Sequence, residues 1–154
     1  MAGAIPHYVN TLPTGPFATD YASVPEDIWR RVQLVYTCSP SNPSGRVMPL
    51  EEWRLLFEYA DRYNFVIAAD ECYSELYLDE NRPPLGGLEA AERLGRRDFS
   101  RLLVFSSLSK RSNVPGMRSG LVAGDARLIK EFLLYRTYHG SAMSATVQAA
   151  STAA

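Results

Sequence analysis

Short, continuous apolar runs alternate with longer amphipathic segments along this chain. The runs are Gln33–Cys38 (QLVYTC), Phe65–Asp70 (FVIAAD), Leu102–Ser107 (LLVFSS) and Ser119–Gly124 (SGLVAG), each rich in Val, Ile, Leu or Phe and bounded by turn residues, as buried strands are. Pro6–Leu12 (PHYVNTL) reads as a fifth strand. Between the first two runs, in Leu50–Asn64, Trp53, Leu56, Phe57, Ala60 and Tyr63 recur with helical spacing after Pro49, a favourable helix start. Strand 33–38, helix 50–64 and strand 65–70 therefore form a βαβ crossover, expected to be right-handed and parallel. Asp79–Gly87 (DENRPPLGG) is dense in turn residues and reads as a surface loop leading into a short helix, Leu88–Leu94. Asp125 is an N-cap for a helix through about Tyr138, with Leu128, Phe132 and Tyr135 on one face. A last helix begins near Ser144 and runs to Ala154 without a C-cap glycine or other stop signal. The pattern is that of an α/β fold, a mostly parallel sheet with helices on both faces.

Composition narrows the function classes. With 154 residues, 46% hydrophobic, 21% charged and a net charge of -1, the chain is an ordinary globular protein. Its sixteen basic residues are balanced by seventeen acidic ones and scattered, so no nucleic-acid footprint is expected. Cys38 and Cys72 lie in or beside apolar runs, as small buried hydrophobes do. His7 and His139 have no partners at ligand spacing, so no metal site is expected. No run is long enough to span a membrane and the first residues lack a signal-peptide pattern, which leaves the cytoplasm as the expected compartment.

Four features fall at strand ends, where open α/β sheets bind their ligands. Ser39-Pro40-Ser41-Asn42-Pro43-Ser44-Gly45 could hold the Asn42 amide over a pocket, and is equally an Asn-Pro turn. Asp70 closes FVIAAD and precedes Glu71-Cys72-Tyr73; a carboxylate ending a buried strand calls for a positive partner, or else is an N-cap. Ser106-Ser107-Leu108-Ser109-Lys110 joins hydroxyls suited to phosphate with an amine that partial desolvation would make nucleophilic. Arg118, among the glycines of Val114-Pro115-Gly116-Met117-Arg118-Ser119-Gly120, carries a guanidinium suited to a phosphate dianion. The set asks for one ligand with a carbonyl, a phosphate and a basic ring nitrogen.

The order Asn-Pro-x-Gly, Asp-x-x-Tyr, Ser-x-Ser-Lys, then Arg eight residues on, resembles the fold-type I, class I/II aminotransferases, which depend on pyridoxal 5'-phosphate (PLP). That resemblance implies roles residue by residue. Lys110 would form the Schiff base with the cofactor and later move a proton. Asp70 would pair with the ring nitrogen, Tyr73 and Asn42 with the phenolic oxygen, and Ser107, Ser109 and Arg118 with the phosphate. It also implies a cis Asn42–Pro43 bond. The stretches PHYVNTLP, CSPSNPSGRVMPLEEW, FVIAADECYSELY and RPPLGGLEAA are similar to those of bacterial succinyldiaminopimelate aminotransferases, which implies amino-acid and keto-acid substrates in lysine biosynthesis. On this reading residues 1–154 are the central part of the PLP-binding large domain, without its N-terminal segment and the small domain. The isolated chain is then expected to be inactive alone, and to form a homo-oligomer such as a dimer or to need a complementing fragment. A non-catalytic α/β module and another fold-type I enzyme, such as a C–S lyase, are the alternatives.

Overall fold

The computed structural model describes residues 3–11 and 17–154. Four strands form one sheet: β1 (Leu34–Cys38), β2 (Val66–Asp70), β3 (Leu102–Ser107) and β4 (Gly120–Gly124), in that spatial order. β1–β2 and β2–β3 are parallel, and β3–β4 is antiparallel. The reversal has a local cause. Between β3 and β4 the chain forms only the short helix α4 (Leu108–Arg111) and a 3₁₀ turn at Pro115–Met117. A parallel return would need a crossover to the far end of the sheet. The chain instead turns back at the same rim, so the start of β4 lies beside the end of β3, with Ser107 opposite Gly120.

The core lies on one face of the sheet. Helix α2 (Leu50–Tyr63) buries Trp53, Leu56, Phe57 and Ala60, the stripe expected from their spacing. They join Ile67 and Ala69 of β2, Leu102 and Val104 of β3, and Ala90 and Ala91 of α3 (Gly87–Arg93). Each large apolar side chain buried there contributes about 1.5–3 kcal/mol. Asn64 ends α2 in the left-handed conformation and donates to Ala60 O at 2.9 Å. A short helix, α1 (Glu26–Trp29), adds Trp29, which packs on Tyr59, Tyr63 and Phe65 with ring centroids 4.9, 6.0 and 5.6 Å away.

Strand alternation turns Phe105 to the opposite face, where it meets Phe132 of α5 (Ala126–His139) edge-on at 6.2 Å. Helices thus pack on both faces, with α5 over the β3–β4 half. Over β1 that second face is open, and Tyr36 is 79% exposed although its run reads as buried. Gly124 permits close packing at the end of β4, because a Cβ there would lie 2.0 Å from Leu102 O. A last helix, α6 (Ala145–Ala153), is capped by Ser144.

One expected element is absent. Residues 6–11 form no strand; the segment is mostly exposed and makes a single antiparallel bridge, Thr11 to Thr19, while Leu12 lies outside the described residues. Among the described residues its alternation of apolar and polar residues finds no neighbouring strand to pair with.

Candidate active site

The rim formed by the C-terminal ends of β1, β2 and β3 gathers the residues singled out above. After β1 the chain makes a braced loop. Ser39 Oγ accepts from Met48 N at 3.0 Å, Ser41 N donates to Arg46 O at 2.9 Å, and the largely buried Arg46 pairs with Glu52 of α2. The Ser39–Pro40 and Asn42–Pro43 bonds are both cis. From this loop Asn42 Nδ2 donates to the Tyr73 hydroxyl at 3.3 Å, joining residues far apart in sequence.

At the end of β2, Asp70 lies in register with Cys38 and Phe105. It is exposed, so the expected desolvation cost is not present, and its Oδ1 accepts from Cys72 N at 3.0 Å. Cys38 and Cys72 are half-buried at the rim rather than enclosed in the core. Burial, then the facing Asp70 carboxylate, pushes the Cys72 thiol up to about 11, while the Lys110 charge acts the other way. Burial raises the Cys38 thiol as well, so neither thiol is primed as a nucleophile.

Glu71 points the other way and is buried. Its carboxylate accepts from Gly87 N at 2.6 Å, pinning the start of α3 beneath the rim. Burial holds this carboxyl above the usual range, against the lowering effect of the Gly87 hydrogen bond. No motif in the sequence marks this residue. The signal was the Gly86-Gly87 pair: a Cβ at Gly86 would come within 2.8 Å of Glu71 Oε2, and one at Gly87 within 3.0 Å of Trp53.

β3 delivers the amine. Ser107 caps α4 by accepting from Ser109 N at 3.0 Å, and the Ser107 and Ser109 hydroxyls lie 2.8 Å apart. Lys110 follows, exposed, with Nζ 6.0 Å from the centroid of the Tyr73 ring. Asn42, Tyr73 and Lys110 are thus brought together directly, with Asp70 beside them through Cys72 and the two serines in the same turn as Lys110.

Arg118 is brought to the rim by its backbone but not by its guanidinium. It adopts a left-handed conformation (φ 53°), unusual for a residue with a side chain. Its NH1 donates to Pro115 O at 2.9 Å rather than to a serine hydroxyl, and Arg118 lines a cleft of about 1050 Å³ between β4, α5 and the segment before α6. A second cleft, about 700 Å³, is lined by Asn42 and Tyr73 together with Met48 and Leu85. Neither Asp70 nor Lys110 lines either one. Among the described residues no helix is long and apolar enough to cross a membrane, and no cluster of three potential metal-ligating side chains occurs.

The family model for aminotransferase class I and II matches residues 1–154. The chain belongs to this family. Similar relatives include the 4-dedimethylamino-4-oxo-anhydrotetracycline transaminase of Streptomyces rimosus, 43% identical over 80% of this chain and 33% of the relative. The LL-diaminopimelate aminotransferase of Aquifex aeolicus is 32% identical over 84% of this chain and 32% of the relative. Among solved structures, an aminotransferase of Neisseria meningitidis shares 58% identity with a TM-score of 0.87, covering 92% of this chain and 35% of its own. A probable N-succinyldiaminopimelate aminotransferase of Thermus thermophilus aligns with a TM-score of 0.78 at 20% identity, over 89% of this chain and 35% of its own, which is a likeness of fold. The chain spans about a third of the length of the relatives it matches. PLP is the cofactor of the family, and this rim fits it in kind: an exposed amine, a carboxylate, a phenol held by an amide, and a hydroxyl pair.

Proposed function

We propose that this chain is the central part of the PLP-binding large domain of an aminotransferase, and that its rim is the cofactor site. The observation that carries the reading is the approach of Lys110 to the ring of Tyr73, itself held by Asn42 across the rim. PLP, when bound, supplies an electron sink for the substrate's Cα.

The chain's own residues do the rest. Asp70 would present its carboxylate to the ring nitrogen and would favour its protonated form. Tyr73 and Asn42, already joined by a hydrogen bond, would together hold the cofactor's phenolic oxygen. The Ser107 and Ser109 hydroxyls would receive the phosphate, and Arg118, whose guanidinium donates to Pro115 O in this structure, would add a cationic contact to it. Lys110 would hold the cofactor through its amine and would move a proton at Nζ.

The reaction is transfer of an amino group between glutamate and a keto acid. The narrower reading is an N-succinylated diaminopimelate precursor in lysine biosynthesis. The diaminopimelate part is supported by relatives named for LL-diaminopimelate, and the succinyl group by sequence resemblance alone. The intact enzyme is a cytoplasmic homodimer on this reading, and the exposed Tyr36, Leu133 and Tyr138 are surfaces that further chain would cover.

The test loads the chain with PLP and offers L-glutamate or LL-diaminopimelate, alone and with a second polypeptide spanning the remainder of a relative. Release of the matching keto acid supports transamination. Release of thiol from a sulfur amino acid instead would make the chain part of a C–S lyase, and no turnover in either mixture would leave a non-catalytic module.

A further inference from the structure

Ser119 sits between the left-handed Arg118 and the first residue of β4 and is buried. Its carbonyl accepts from Ser107 Oγ at 2.9 Å and from Leu108 N at 3.3 Å, so it holds the first turn of α4, which carries Lys110. Its hydroxyl faces the other way and lies 2.7 Å from Ser151 Oγ on α6.

The hydrogens can be assigned by counting, since each hydroxyl has one to donate. Ser151 Oγ donates to Val147 O at 2.7 Å, so it accepts from Ser119. Ser107 donates to Ser119 O and accepts from Ser109 N. The Ser109 hydroxyl is then left with its hydrogen free for Ser107 or for an anion in the rim. Arg111 adds a weaker tie from the same turn to α6, donating to Ala154 O at 3.4 Å.

We propose that Ser151 is a positioning residue: through Ser119 it fixes the Ser107–Ser109 hydroxyl pair, and with it the Lys110 turn, in the orientation that receives the cofactor's phosphate. The idea rests on the PLP reading above. It makes α6, which contributes no ligand of its own, part of the cofactor site.

The test compares wild type with Ser151→Ala and Ser151→Thr, the latter retaining a γ-hydroxyl. PLP and pyridoxal, which lacks the phosphate, are titrated into each by absorbance. Amide hydrogen exchange of residues 107–120 is followed without ligand. Loss of one neutral hydrogen bond should weaken PLP binding roughly three- to tenfold in Ser151→Ala, weaken pyridoxal binding less, and speed exchange in 107–120, with all three restored in Ser151→Thr. Equal PLP affinity in wild type and Ser151→Ala, or equal losses for PLP and pyridoxal, overturns the proposal while leaving the PLP reading intact. Wild type that binds neither compound removes the PLP reading and this role with it.

Discussion

Replacing Asp125 by alanine tests how the sheet is held behind the site. Asp125 is buried at the start of α5, and its backbone N donates to Leu102 O at 2.9 Å. Its Oδ1 accepts from Arg127 N at 2.9 Å and Leu128 N at 3.5 Å, capping α5. Its Oδ2 accepts from Arg101 N at 3.0 Å, fixing a residue held at φ 63° immediately before β3. Loss of the cap costs about 1 kcal/mol. Loss of the charged acceptor for Arg101 N–H costs about 1.5–3 kcal/mol. Asp125→Ala should therefore lose about 2–4 kcal/mol and melt roughly 6–12 °C lower by circular dichroism. Asp125→Asn, which can keep the cap but offers an amide to Arg101, should fall between.

The pH dependence carries a sign. Burial pushes the Asp125 carboxyl up, but the hydrogen bonds from Arg101 N, from the Arg127 side chain and backbone, and from Leu128 N outweigh it and hold it below the usual carboxylate range. A depressed folded-state value means the contribution is complete above the unfolded value, about 4, and is lost as pH falls through the folded one. The gap between wild type and Asp125→Ala should be constant from about pH 7 to 5 and narrow below about 4. A gap under about 0.5 kcal/mol, or one that widens in acid, would refute this account of the anchor.

Three further outcomes test other parts of the structure. Trp29→Ala, which empties the aromatic cluster of Tyr59, Tyr63 and Phe65, should cost about 3–5 kcal/mol in urea denaturation; a cost below about 1 would show the cluster collapses onto itself. Glu71 has a raised value, so its cost to folding sets in as pH rises from the ordinary carboxylate range through the raised one; Glu71→Gln, which keeps an acceptor for Gly87 N, should be at least as stable as wild type at pH 7.5 and should show less loss between pH 4.5 and 7.5. Tyr73→Phe removes the partner of Asn42 Nδ2, and should weaken PLP binding roughly three- to tenfold with stability within about 0.5 kcal/mol of wild type; an unchanged PLP titration would take Tyr73 out of the site.

Strands β1 to β3 and helix α2 were legible to within a residue, because each buries a continuous run or a stripe of helical period, and both patterns are local. The direction of β4 was not, since an apolar run reads the same both ways and the shortness of the Leu108–Ser119 connection decides it. Helix α1 is too short to show a period, so the Trp29 cluster went unseen. The residues of the rim were named from motif order, yet their environment was misjudged: an apolar run ahead of Asp70 and Lys110 suggested burial, whereas Asp70, the last residue of β2, and Lys110, in the turn after β3, both stand exposed. Arg118 shows the same limit, as sequence places its backbone at the rim but not its guanidinium, which an exposed carbonyl at Pro115 captures. The roles of Glu71 and Ser151 depend on contacts across the fold, with Gly87 and Ser119 respectively; the Gly86-Gly87 pair hints at the first, and no local pattern announces the second.

The central claim is that Lys110 is the amine that takes up PLP. Incubation of the chain with PLP, reduction with borohydride and peptide mapping measure it directly. The account predicts a single saturable pyridoxyl label on Lys110, competed by inorganic phosphate and absent from Lys110→Ala. A label found instead on Lys130, the chain's other lysine, or spread over both without saturation, would contradict it.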